Sequence, residues 1–218
     1  MIPVAHPPTV PPLLQNEYVA QPAPVDPDSA WGAFTGKAEV TATLIPAQRG
    51  GLCCYCEETL AKHGSHIDHV VPKSKDHAGT FRFDNLVLSC ITADELQNLA
   101  KRDRSCGHYR FSEYDPVLFI KPTEADCADY FACKENGDLR EMPGLPGDKA
   151  ARSRYMIRKL NLNATRLSRR RRDWLNMVRK QMAAMGDEKE ALLWFLRDCL
   201  RDGKPFVSVV REYFGWLQ

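Results

Sequence analysis

The chain has no apolar run approaching the ~20 residues that a membrane helix requires. Its start, Met1 to His6 followed by Pro7 and Pro8, lacks the charged and apolar blocks of a secretory leader. Together these absences predict a cytoplasmic protein with no membrane partner. No internal repeat is present, so stacked-repeat architectures are excluded. Net charge is small as well: 30 Lys and Arg against 28 Asp and Glu leave +2 over 218 residues. The whole-chain balance is therefore no argument for a nucleic-acid partner, but its distribution is. Residues 151–180 hold eleven of the basic side chains and a single acid, Asp173, which leaves the remainder net acidic. Such asymmetry marks a surface for an anionic partner, or a face that docks an acidic protein.

What is present is ordinary globular composition, 44% apolar and 27% charged, which predicts a folded chain. Eight of the fifteen prolines fall in residues 1–29, disfavouring helix and central strand there and predicting an extended Pro-rich arm. Residues 30–115 read as a His- and Cys-rich core. In it the runs from His66 to Val71 and from Phe81 to Cys90 form a small hairpin across the polar loop from Lys73 to Thr80. A short helix is expected from about His108, stopped by Asp115 and Pro116. Residues 116–150 form an irregular connection with a short strand at Val117 to Ile120.

Residues 151–218 form a helical region. Asn163 is placed to cap a helix reaching about Met185, ended by Gly186. Asp187 caps the next helix, which ends near Gly203. A last amphipathic segment carries Phe206, Val209, Val210, Tyr213, Phe214, Trp216 and Leu217. The fold class is α+β.

Eight cysteines in a chain without a leader point to metal or catalysis rather than to disulfides. Cys53-x-x-Cys56 is the spacing that lets two thiolates reach one tetrahedral zinc. Cys90 and Cys106 are the available second pair, although sixteen positions separate them. Buried thiols without metal are the alternative. Cys54 is the spare, and Cys127, Cys133 and Cys199 read as small buried hydrophobes.

Between and just after these pairs lie Asp68, His69, Asn85 and His108. Phosphodiester hydrolysis needs a base for water, a divalent cation for the phosphate and leaving oxygen, and groups that orient the base. His69 is the candidate base, because an imidazole with a pKa near ~6.5 is largely neutral at cellular pH. His66 reads as a solvated strand residue or a phosphate donor. His6, His63 and His77 read as surface residues.

The stretches Ile67-Asp68-His69-Val70-Val71-Pro72-Lys73-Ser74, Phe83-Asp84-Asn85-Leu86-Val87-Leu88-Ser89-Cys90 and Cys106-Gly107-His108-Tyr109-Arg110 resemble HNH nucleases of the ββα-metal class. Further motifs are Cys53-x-Tyr55-Cys56-Glu57, Asp115-Pro116-x-x-Phe119-Ile120-x-Pro122 and Leu160-Asn161-Leu162-Asn163, followed by Leu167 and an Arg-rich helix. These narrow the resemblance to the PtuB-like HNH partner of the ATPase–nuclease pairs in Septu and retron antiphage systems, over about residues 50–180.

The resemblance implies a zinc-bound ββα-metal core, with Asp68 and His108 as ligands of one catalytic Mg²⁺ or Mn²⁺ and Asn85 holding the His69 ring. It also implies a PtuA-like ATPase as partner, with retron RNA or DNA as a further associate. Lys73 and Arg110 are candidate nucleic-acid contacts, as are Arg169, Arg170 and Arg172 of the basic helix, which alternatively dock an acidic protein. Arg171 falls within the apolar stripe of that helix and requires a carboxylate or phosphate partner if the stripe is buried. DNA is the expected substrate. Structured RNA, or a zinc-stabilised nucleic-acid-binding module without catalysis, is the alternative.

Overall fold

A computed structural model describes residues 1–215, with His63 described by its backbone alone. The side chain of His63, and Trp216 and Leu217 of the last apolar segment, lie outside the described residues. The chain folds as α+β, with two small sheets among helices. No described helix is long and apolar enough to cross a membrane.

The N-terminal arm is not extended throughout. Helices α1 (Pro12–Ala20) and α2 (Pro27–Ala33) both begin on proline, where the missing N–H has no intrahelical partner to lose. Asp26 caps α2, accepting from the Ser29 backbone at 3.1 Å. Residues ahead of α1 are extended but bound to the core: Ile2 N donates to Cys54 O at 3.1 Å, and Val4 N donates to Pro122 O at 2.7 Å. Met1, Ile2 and Val4 are buried.

Helix α3 (Lys37–Ala47) leads into the cysteine loop and the short α4 (Leu60–His63). The expected hairpin follows. Strands β1 (Ser65–His69) and β2 (Leu86–Cys90) are antiparallel, with Asp68 opposite Val87 and His69 opposite Leu86. The segment between Cys90 and Cys106 folds outward through α5 (Ala93–Asn98), capped by Thr92, and returns to α6 (Gly107–Arg110).

Val117 to Ile120 is a turn, not a strand. Asp115 Oδ1 accepts from the backbone of Val117 and Leu118 at 2.9 and 3.0 Å, which curls the chain locally. The connection instead holds a second hairpin, β3 (Phe131–Cys133) with β4 (Leu139–Glu141).

Four helices follow among the described residues: α7 (Gly147–Lys159), α8 (Thr165–Met185), α9 (Lys189–Cys199) and α10 (Val207–Phe214). Asn163 does not cap α8. Its side-chain amide pairs with both backbone groups of Leu139, at 2.7 and 2.9 Å, extending the small sheet, and Ala164 precedes the helix. Glu188 rather than Asp187 precedes α9, with no side-chain cap. Gly186 ends α8 at φ 62, as its position predicts. Val207, Val209 and Val210 of α10 are buried in the protein's own core.

The basic block is largely consumed within the fold. Arg152 pairs with Glu124 at 2.7 Å, Arg154 with Glu141 at 3.2 Å, and Arg179 with Glu135 at 2.6 Å. Arg171, 1% exposed, lies over the Phe206 ring and donates to Leu162 O and Gly137 O, so backbone carbonyls replace the expected carboxylate or phosphate.

Gly137 marks how closely the β3–β4 hairpin meets α8. Its φ is +86°, and a β-carbon there would sit 1.9 Å from Ser168 O. Gly137→Ala is expected to destabilise the fold by about 3 kcal/mol or more, read as a lowered denaturation midpoint, because neither backbone can yield cheaply.

Candidate active site and cysteine cluster

The Cys53–Cys56 loop, the end of β2 and the residue before α6 bring four sulfurs together. The Sγ atoms of Cys53, Cys56, Cys90 and Cys106 lie within 4.8 Å of one another, all buried. Among the described residues no other His, Cys, Asp or Glu group of three or more converges so tightly. Four thiolates in a tight buried cluster are the donor set of structural zinc, which they fit. Cys54 is buried but outside the set, as expected.

Burial pushes the Cys56 and Cys106 thiols well above the usual range. Cys53, despite the same burial, is drawn below it by hydrogen bonds from Cys106, Cys54, Cys56 and Cys90. The long excursion between Cys90 and Cys106 is no obstacle, because the C-terminal region holds it in place. Asn161 donates to Arg102 O and Arg104 O at 3.0 and 2.8 Å, and Arg166 donates to Asp103 O at 2.9 Å. Arg166 also brings Nη2 to 3.8 Å from Cys90 Sγ, placing a cation beside the cluster.

Through Cys90, opposite Ser65, the cluster secures the open end of the hairpin that carries Asp68 and His69. These neighbours point to opposite sides of a regular strand. His69 is the last residue of β1, however, and the chain leaves the sheet there, so both line one cleft of about 440 Å³ together with Lys73.

The His69 ring is 6% exposed and meets Trp31 of α2 edge-on at 4.6 Å. Its Nε2 lies 2.9 Å from Thr80 O. A carbonyl only accepts, so Nε2 carries the proton and Nδ1 keeps its lone pair. Burial lowers the His69 pKa to about 4.

Asn85 makes no hydrogen bond to that ring, contrary to the expectation. It accepts from Val71 N at 2.8 Å and donates to Val71 O and Gly79 O, each at 3.0 Å. It thereby fixes both ends of the loop whose Thr80 carbonyl orients His69. An amide that spans two backbone segments has no donor left for an imidazole.

Asp68 Oδ2 accepts from Tyr55 O–H at 2.7 Å and Arg110 Nη2 at 3.0 Å. Despite burial, the Arg110 charge, His66 and these bonds hold its carboxyl below the usual range. Arg110 is 1% exposed, and it also donates to His69 O. The candidate role of Arg110 as a nucleic-acid contact is therefore corrected: its guanidinium is enclosed and positions the Asp68–His69 pair.

Gly107 lets α6 approach the strand. A β-carbon there would sit 2.7 Å from His66 Nε2 and 2.8 Å from Asp68 Cγ. The next residue, His108, stacks on His66 with ring centroids 3.7 Å apart. Its Nε2 is buried without a partner, and burial lowers its pKa to about 4. A carboxylate and a neutral imidazole with an unsatisfied nitrogen are donors that suit a divalent ion. His66 is no solvated strand residue: its Nδ1 lies 2.8 Å from Ile91 O.

The remaining candidates are scattered. Lys73 sits in the cleft, 3.1 Å from Asp28 of α2. Arg170 pairs with the fully buried Glu58 at 2.7 Å, and Arg172 with Asp173 at 3.0 Å. Arg169 is exposed and makes no ion pair among the described residues. His6 is tied to Leu86 O and His77 to Pro24 O.

Sequence reasoning misses Trp31 and the role of Tyr55. Tyr55 stands between two metal-spaced cysteines, a usable signal. Trp31 lies far up the chain with no pattern to mark it.

Two substitutions separate cluster from cleft. Cys56→Ser is expected to abolish zinc retention, measured by elemental analysis, and to loosen the hairpin, since three thiolates leave the tetrahedron open. Asn85→Ala leaves buried loop groups unpaired; a loss of about 2 kcal/mol or more with zinc retained is expected in denaturant titration.

Residues 53–92 match the family model described as HNH endonuclease. The match spans Cys53, Cys56, Asp68, His69, Asn85 and Cys90, and stops before Cys106 and His108. No curated protein matches the chain. Three of the four clustered cysteines fall within the matched segment, so residues 53–92 are similar to an HNH endonuclease domain and sit around a zinc-type cysteine cluster.

Proposed function

We propose that the protein is a metal-dependent endonuclease that hydrolyses phosphodiester bonds of DNA, working with a PtuA-like ATPase in antiphage defence. The observation that carries the catalytic half is the His69 tautomer. With Nε2–H committed to Thr80 O, the Nδ1 lone pair is left to take a proton from water. A pKa of about 4 keeps that nitrogen unprotonated at cellular pH, and an anionic phosphate beside it raises the value toward the working range.

Asp68 and His108 are the residues that would hold the catalytic Mg²⁺ or Mn²⁺. When bound, the ion neutralises charge on the phosphate and the leaving oxygen. Arg110 and Tyr55 keep Asp68 ionised and aimed. Lys73, now paired with exposed Asp28, is placed to turn to a phosphate oxygen. The ATPase half rests on the resemblance of the motifs from Cys53 to Asn163 to those of the nucleases of Septu and retron pairs, and retron RNA or DNA association rests on the same resemblance.

The test incubates the protein, with and without its ATPase, with plasmid DNA or total tRNA in Mg²⁺ or Mn²⁺. Plasmid cleavage that is blocked by chelator and reduced about 10²- to 10⁴-fold by His69→Ala, with zinc content unchanged, is the expected result. Cleavage of tRNA alone moves the substrate to RNA, and wild-type activity in His69→Ala rejects the mechanism.

A further inference from the structure

Phe111 follows α6 with φ 51° and ψ −122°. Glu113 N donates to Arg110 O at 3.0 Å, closing a turn in which Phe111 is the second residue. Those angles belong to the type II′ turn, whose second position favours glycine because a β-carbon is strained there. Strain of this kind persists when surrounding structure imposes it, and it concentrates at functional sites. Here the imposing structure is visible. Arg110, immediately before, is locked on Asp68 and His69 O, and Phe111 N is held by Gly107 O at 3.2 Å.

Packing does not account for the side chain either. Phe111 is 71% exposed, one of the few large apolar side chains left so open, and it lines the catalytic cleft with His69, Lys73 and Ser74. A strained backbone thus presents an unpacked aromatic ring at the mouth of the site that holds the proposed base.

We propose that Phe111 is a stacking platform for the nucleobase that adjoins the scissile phosphate. This rests on the endonuclease reading. A phosphodiester reaching His69 has Lys73 as its cation, and its attached base must leave the cleft past the rim. An aromatic face there captures any base, since all four present a π-surface, so the contact adds grip without sequence preference. The rigid Arg110–Asp68 link keeps that face in register with the reacting groups.

The test uses single-stranded and duplex oligonucleotides carrying 5-iodouracil, bound to the full chain bearing His69→Ala to block turnover. Irradiation is expected to crosslink the base to Phe111, located by peptide mass spectrometry. Phe111→Ala and Phe111→Gly, added separately, are each expected to bind roughly tenfold more weakly. The glycine variant is expected to melt above the alanine variant, because only glycine enters the turn without strain. Phe111→Trp is expected to restore binding.

A crosslink confined to other residues, with unchanged affinity in both truncations, overturns the stacking role while wild-type cleavage leaves the endonuclease reading intact. Failure of the wild-type chain to cleave or bind any nucleic acid overturns both.

Discussion

Four thiols drawn from three separated stretches of chain converge on one buried point, and the β1–β2 hairpin depends on that convergence. A two-stranded hairpin alone is at best marginally stable in water. Here the cysteine loop closes one side, the end of β2 another, and the start of α6 a third. Whatever holds the sulfurs together also fixes how β1, with Asp68 and His69, sits against α6, whose His108 stacks on His66. The stability of the cluster is in that sense the precision of the cleft.

The positioning groups around the cleft are mostly buried and mostly serve two partners. Arg110 links a carboxylate to a backbone carbonyl, Asn85 joins two loop ends, and Tyr55 ties the cysteine loop to Asp68. A buried polar group with two good partners is rigid, and one that loses a partner carries the full desolvation penalty. Such a network tolerates little drift of His69 relative to Asp68.

The hairpin and the four-cysteine set are legible in the sequence because spacing encodes them directly: two apolar runs around a polar loop, and a Cys-x-x-Cys with two later partners. The proline-rich arm misleads because a count of prolines ignores position, and Pro12 and Pro27 fall on first turns of helices. Asn163 has the residue type of a cap, but Leu139, distant in sequence, offers it two bonds instead of one. Asn85 is placed correctly in the site yet serves the loop, a distinction that only three-dimensional partners reveal. The basic block reads as an anion-binding surface until its partners Glu124, Glu135, Glu141 and Glu58 are seen opposite it. Trp31 and Phe111 carry no pattern, because their importance comes from what tertiary structure sets beside them.

The excursion between Cys90 and Cys106 has a further consequence. Both of its ends are pinned by the same cluster, so the chain between them is a closed loop whose closure cost rises only slowly with length, by about 0.6 kcal/mol per doubling. Its contacts to α8 and the residues just before it, through Asn161 and Arg166, lie near its return rather than at its outer helix α5. That outer helix has no fully buried residue and packs on the core only through the partly buried Leu96. Provided Leu96 and Leu99 keep their packing on the core, it is a segment that can be lengthened with little penalty, an attachment point for added structure that leaves the cysteine cluster intact.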